Sequence, residues 1–394
     1  MRSTILAASI LGLGAAAGPA LRHGFTPVEV RRILQQSPLP APPADTSNAR
    51  ADDPAAARLG HFLFFDPRLS GNGHLSCASC HDPERGFADG RAVSEGVHRG
   101  RRNTPALWNV AYNRWFFWDG RADSLWSQAL KPMESPDEMA GSRDGIYRLV
   151  RDDGELRGAF EAVFGAFPKA ADRASVNRVF VAVGKSLAAH QRRIVSRNAA
   201  FDVFADGLRA GDPARVAALS ESARRGLKIF VGRGQCRTCH SGPNFTDGEF
   251  HDIGVPPGSG LAIDAGRADG VTRLRSDEFQ AGGAFSDDRQ GDAARSTAFL
   301  DPGAPATGQV KTPTLRNVAL TAPYMHQGQL ATLGDVLRYY STLEGRTPPG
   351  PHDEKILVPL HLDEGETADL IAFLESLTGV PLPGDLLLRP PAPK

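Results

Sequence analysis

The sequence has no net charge: Lys and Arg number 45, and so do Asp and Glu. A chain that binds nucleic acid needs a basic surface, so nucleic acid is excluded as a partner. The apolar run at residues 5–17 is too short to span a membrane comfortably, and no other stretch is long enough. Tyrosine is rare, with five in 394 residues, and two of them stand together as Tyr339 and Tyr340 in DVLRYYST. Cysteine is rarer still, with four, confined to two short stretches. What remains is a chain long enough for two to three domains. Its 41% hydrophobic content is enough to build real cores.

The N-terminus reads MRSTILAASILGLGAAAGPALRHG. Arg2 precedes the apolar run, and Ala15-Ala16-Ala17 or Gly18-Pro19-Ala20 offers a small-residue cleavage site. Charge, position and length are those of a secretory signal peptide, expected over 1–20. A buried helix is the alternative.

The cysteines form two copies of one pattern, Cys77-Ala-Ser-Cys80-His81 and Cys236-Arg-Thr-Cys239-His240. C-x-x-C-H is the attachment signature of c-type haem. Each thiol can form a thioether to one vinyl group, and the adjacent histidine supplies an axial imidazole to the iron. The rival readings fit less well. A C-x-x-C disulfide belongs with a thioredoxin-like βαβ pattern, which is absent here. A four-cysteine zinc site holds its two halves much closer in sequence.

A similar stretch precedes each motif: ARLGHFLF at 57–64 and ARRGLKIF at 223–230, with Gly60 matching Gly226 and Phe64 matching Phe230. Each reads as a short helix whose glycine permits close packing, so the chain is expected to hold two similar units. Residues 143–164 and 174–194 carry apolar residues at helical spacing. The Gly-, Asp- and Arg-rich stretch 258–308 reads as a long loop with short pieces of structure. The Pro-rich tail cannot be a long helix.

With both motifs in place, the chain resembles the bacterial di-haem cytochrome c peroxidase and MauG family from about Asp53 to Thr378. The carrying stretches are LFFDPRLSGNG, FWDGRADSLWSQALKPMESPDEM, CHSGPNF and TPTLRNVALTAPYMHQG. The resemblance implies a mainly α fold of two cytochrome c-like domains, each with one covalently bound c-type haem, plus long irregular loops. The expected division is a peroxidatic domain over 21–210, an electron-relay domain over 211–380 and a tail over 381–394. It also implies residence in the periplasm, reaction with hydrogen peroxide and a small electron-donor protein (a cytochrome c or cupredoxin). A second copy of the chain, as a homodimer, is a further partner expectation.

Position by position, Trp118 matches a tryptophan between the haems. Gln128 and Glu138 match the peroxide pocket, where a carboxylate can move a proton between the peroxide oxygens and a carboxamide can orient them. Asn103, Thr321 and Pro323 match the oxygen ligands of a calcium ion. Some relatives place a sixth ligand sixteen residues after the first haem-motif histidine. That position is Val97, which cannot ligate, although His98 follows it. Fourteen residues after His326 stands Tyr340, where peroxidases of the family place methionine and MauG-like members tyrosine.

The local pattern agrees on Tyr340. Thr332 and Asp335 mark a helix start, and Leu333, Val336, Leu337, Tyr340 and Leu343 share one stripe, from which Tyr339 is rotated by about 100°. One departure from the family is Gln327, where aspartate is usual. Three readings therefore stand. One is a peroxidase that draws electrons from a donor protein. The second is a MauG-like enzyme that oxidises side chains of a partner protein. The third is a non-catalytic di-haem carrier, which requires His98 as a ligand.

Overall fold

The computed structural model describes residues 23–301, 306–347 and 354–392. The expected signal peptide, residues 1–20, lies outside them. Among the described residues no helix is long and apolar enough to cross a membrane.

The fold is mainly helical. In chain order its principal helices are α1 (Pro27–Leu34), α2 (Pro54–Phe64), α3 (Leu125–Glu134), α4 (Arg143–Asp152), α5 (Gly154–Phe164), α6 (Arg173–Gln191), α7 (Ala200–Ala210), α8 (Glu221–Val231), α9 (Arg267–Arg275), α10 (Leu333–Thr342) and α11 (Glu364–Glu375). Two short strands, Phe250–His251 and Val310–Lys311, pair antiparallel.

The caps explain many of the boundaries. Asp53 accepts hydrogen bonds from the amides of Ala55 and Ala56 at the start of α2, with Pro54 in the first helical position. Ser220 caps α8 in the same way. The helical pattern at 143–164 is two helices, because Asp153 leaves helical geometry and its side chain caps α5 through the Leu156 amide.

The internal repeat is a packing repeat. Helix α2 lies against α6, and α8 lies against α11. In each pair the matched glycine makes the crossing: a Cβ at Gly60 would collide with the Ser186 carbonyl oxygen, and one at Gly226 with that of Asp369. Each pair sits in its own apolar core. The first gathers Leu59, Leu63, Trp126, Leu130, Val179 and Phe180, and the second Phe204, Leu227, Phe230, Phe245, Leu370 and Phe373.

These cores do not divide the chain at 210/211. Helix α7 packs in the second core, through Phe201, Phe204 and Leu208. So do Phe25 and Ile33, near the chain's start, while Leu382 and Leu387 of the tail pack against the first. Each terminal segment thus crosses to the other unit. Apolar side chains are the reason: α7 has a strongly amphipathic face that only the second core covers.

Candidate functional site

Both C-x-x-C-H motifs sit at the start of a turn that follows the repeat helix. Cys77–Cys80 forms one helical turn and Cys236–Thr238 one 3₁₀ turn. All four thiols are free and partly buried. Burial pushes the Cys77 and Cys236 thiols up to about 12. Burial, with Asp89 and Glu138 beside it, pushes Cys80 up to about 11.

The two histidines are held identically. His81 Nδ1 lies 3.2 Å from the Phe87 carbonyl oxygen and His240 Nδ1 lies 3.1 Å from that of Phe245. A carbonyl can only accept, so Nδ1 carries the proton and Nε2 keeps its lone pair for a metal. Burial lowers both pKa values, which favours the neutral, ligating form. Paired free thiols and a histidine of fixed tautomer, made twice, fit two covalent haems.

The surroundings of the two motifs differ. Glu138, just beyond α3, lies close enough to Cys80 to raise its pKa. Its own side chain is 37% exposed, yet burial pushes its pKa above the ordinary value while Arg121, 4.0 Å away, opposes the shift. Gln128 is partly buried on α3, earlier in the same segment. Loop 94–99 lies across the Glu138 segment, with the Val97 and His98 amides donating to the Glu138 and Asp137 carbonyls. The side chains of Val97 and His98 are both exposed.

Beside the second motif stands Tyr340. Burial, with Tyr339 and then the Cys236 and Cys239 thiols nearby, raises its pKa. Helix α10 starts at the expected Thr332–Asp335 capping box. Its faces divide differently from the expected single buried stripe. Leu337 and Tyr339 are buried in protein, whereas Leu333, Val336 and Tyr340 are only partly so, and Leu343 has left the helix in left-handed geometry. Tyr339 donates its hydroxyl to the Ile253 carbonyl at 2.6 Å, so its oxygen is already satisfied.

In sequence between the motifs lies the turn 117–121. Trp118 Nε1 donates to the Asn103 carbonyl at 2.9 Å, and the indole meets the His326 ring edge-on at 6.4 Å. The Asn103 amide donates to the His326 carbonyl, which brings Asn103 to the loop of Thr321 and Pro323. Burial lowers the His326 pKa to about 4. Arg102 joins Asp119 (2.5 Å) to Asp264 (2.6 Å). Arg267, from α9, is 5% exposed, sits over the Trp115 and Phe250 rings and donates to the Asp119 and Gly120 carbonyls.

Sequence reasoning missed Phe117, Arg102, Arg121 and Arg267. Arg121 stood inside the quoted FWDGRADSL stretch, and Arg267 inside the stretch read as loop. The departure at Gln327 has a structural use. Its side chain accepts from the Gly258 amide and donates to the Ala262 carbonyl, and an aspartate could not make the second bond. Cys239, Asp247 and His251 form the one cluster of three metal-ligating types among the described residues. Asp247 and Glu354 already occupy both His251 nitrogens, and Cys239 belongs to the attachment motif.

Residues 54–210 match the family described as Di-haem cytochrome c peroxidase. The chain is 36% identical over 330 residues to the Methylamine utilization protein MauG of Methylorubrum extorquens, covering 83% of this chain and 79% of that protein. It is 37% identical over 343 residues to the Cytochrome-c peroxidase IdrP1 of Denitromonas iodatirespirans, covering 86% and 85%. Among solved structures, a MauG-like protein associated with microbial copper homeostasis aligns with a TM-score of 0.66 at 29% identity, over 89% of this chain and 97% of that one. The diheme peroxidase BthA from Burkholderia thailandensis aligns with a TM-score of 0.66 at 26% identity, over 87% and 90%.

Proposed function

Because the chain belongs to the bacterial di-haem cytochrome c peroxidase and MauG family, and so is an oxidoreductase that reacts with hydrogen peroxide and transfers electrons, we propose a division of labour between its two motifs. The N-terminal motif serves the reaction with peroxide and the C-terminal motif the exchange of electrons. The observation that carries this is the asymmetry of their surroundings: beside the first motif stands Glu138, whose nearest cation is 4.0 Å away, and beside the second stands a phenol, Tyr340, while the carboxylate there, Asp247, is tied to His251.

Cys77, Cys80 and His81 would hold one haem c, and Cys236, Cys239, His240 and Tyr340 the other. Bound haem would supply peroxide activation at the first motif and storage of oxidising equivalents. The chain's own residues do the rest. Glu138 takes a proton from the near peroxide oxygen and returns it to the far one, and its raised pKa brings it closer to the working pH. Gln128 orients the peroxide through its carboxamide. Trp118, with its N–H tied to the Asn103 carbonyl, couples the two haems. Asn103, Thr321 and Pro323 would supply oxygen ligands to a calcium ion at this junction.

Tyrosinate is a hard anionic ligand that favours oxidised iron, so Tyr340 favours the MauG-like reading, in which a partner protein's side chains are the reductant. In the alternative, a cytochrome c or cupredoxin delivers electrons. Export to the periplasm through residues 1–20 fits either. Rapid-mixing kinetics with peroxide test the proposal. Glu138→Gln should slow the peroxide reaction by 10²-fold or more, on the order of a lost general acid–base group. A wild-type rate in that variant would remove Glu138 from the mechanism. Peroxide turnover supported by reduced cytochrome c or cupredoxin separates the two readings of the donor.

A further inference from the structure

The turn that carries Trp118 also carries Arg121, which the roles above leave unused. Its guanidinium carbon stands 3.5 Å from the centre of the Phe117 ring. Phe117 has φ 65°, a left-handed geometry that is costly for a bulky residue and is kept only where the surroundings enforce it. Arg121 Nη1 donates to Asp119 at 3.1 Å, and Nη2 stands 4.0 Å from Glu138 Oε1. Asp119 is buried, and Arg102 holds its other oxygen. Arg121 is thus fixed by a ring on one side and an anchored carboxylate on the other.

We propose that Arg121 is a positioning residue for the peroxide reaction: held off Glu138 by Phe117 and Asp119, it favours the ionised carboxylate without closing a hydrogen bond onto it. The inference rests on the reading of Glu138 as the proton carrier. Distance is the argument. A guanidinium in bidentate contact, at about 2.7–2.9 Å, would occupy both carboxylate oxygens and oppose any protonation. At 4.0 Å the charge still acts, while the oxygens stay free to take and return a proton. The other groups facing Glu138 are few. Asp137 and the Ser135 hydroxyl lie on its own loop, and the Cys80 thiol faces it from the first motif. Asp89 and Arg91 face that thiol in turn, and loop 94–99 meets Glu138 through the Val97 amide, with His98 exposed beside it. Arg121 is the cation that acts on Glu138 directly.

The test is a pH titration of the Glu138 carboxyl infrared band in the haem-loaded full chain, assigned by its loss in Glu138→Gln. Arg121→Gln should move the midpoint up by about one to three pH units, the range for loss of an opposite charge at this distance. The acid limb of the peroxide reaction should move with it. Arg121→Lys, which restores charge without the fork, should bring the midpoint part of the way back. A midpoint unmoved in Arg121→Gln overturns the proposal. If that variant fails to take up haem, Asp119→Asn decides instead. Arg121 is then free to close on Glu138, so the midpoint should fall, and an unmoved or raised midpoint overturns the proposal. Should Glu138→Gln react with peroxide at the wild-type rate, the proton-carrier reading fails, while the infrared midpoints still judge Arg121.

Discussion

Replacing His190 by phenylalanine should make the protein less sensitive to acid. His61 on α2 and His190 on α6 stack 4.5 Å apart with an interplanar angle of 14°, where the two repeat-one helices cross. They are 7% and 0% exposed. His61 Nε2 and both His190 nitrogens have no hydrogen-bond partner among the described residues. Burial, then the neighbouring His61 and Arg193, lowers the His190 pKa from 6.5 to about 3.

The folded chain therefore keeps His190 neutral where the unfolded chain has already bound a proton. Stability is unaffected by this group above pH 6.5 and falls as the pH drops from 6.5 toward 3. The slope is about 1.4 kcal/mol per pH unit, so His190 alone removes roughly 2–3 kcal/mol between pH 6.5 and 4.5. Phenylalanine keeps a ring against His61 and Phe64 and cannot titrate. Urea unfolding of the haem-loaded protein at the two pH values measures the difference. The variant should lose about 2–3 kcal/mol less than the wild type over that window. Equal losses would refute the reasoning, because they would mean that His190 takes up its proton while folded.

Two further substitutions probe the fold around the motifs. Tyr339→Phe removes the bond to the Ile253 carbonyl and should cost about 1 kcal/mol in urea unfolding, with the visible spectrum of both haems unchanged. A changed spectrum would move the ligand role to Tyr339. Gly226→Ala forces a Cβ against the Asp369 carbonyl and should cost about 1–3 kcal/mol, read as a lower unfolding midpoint. No loss would mean that α8 and α11 do not need the close approach.

The parts of the site that were legible in the sequence are those carried by short, local chemistry. The C-x-x-C-H motifs, the matched glycines and the Thr332 cap each need only a few neighbouring residues, and each is found where it was read. The helix that carries Tyr340 was legible for the same reason, since it starts at its own Thr332–Asp335 capping box. What escaped depends on distant segments meeting. The left-handed Phe117 and the Arg121 stacked on it follow from contacts that α9 and the Asp119 cluster impose. Arg267 lay in a stretch too rich in Gly, Asp and Arg to show a period, although α9 forms there. The terminal segments crossed between the cores because apolar side chains at Phe25, Ile33, Leu382 and Leu387 found cover far from their own place in the chain. Nothing local in the sequence marks that exchange.

The central claim is that the two haem motifs are unequal, with Glu138 beside an open first site and Tyr340 ligating the second. Electron paramagnetic resonance of the resting ferric protein, wild type and Tyr340→Met, tests it most directly. The wild type should show one high-spin signal from the first haem and one low-spin signal from the second. Tyr340→Met should alter the low-spin signal and leave the high-spin one in place. A wild-type spectrum with only low-spin haem, or a low-spin signal unchanged in Tyr340→Met, would contradict the account.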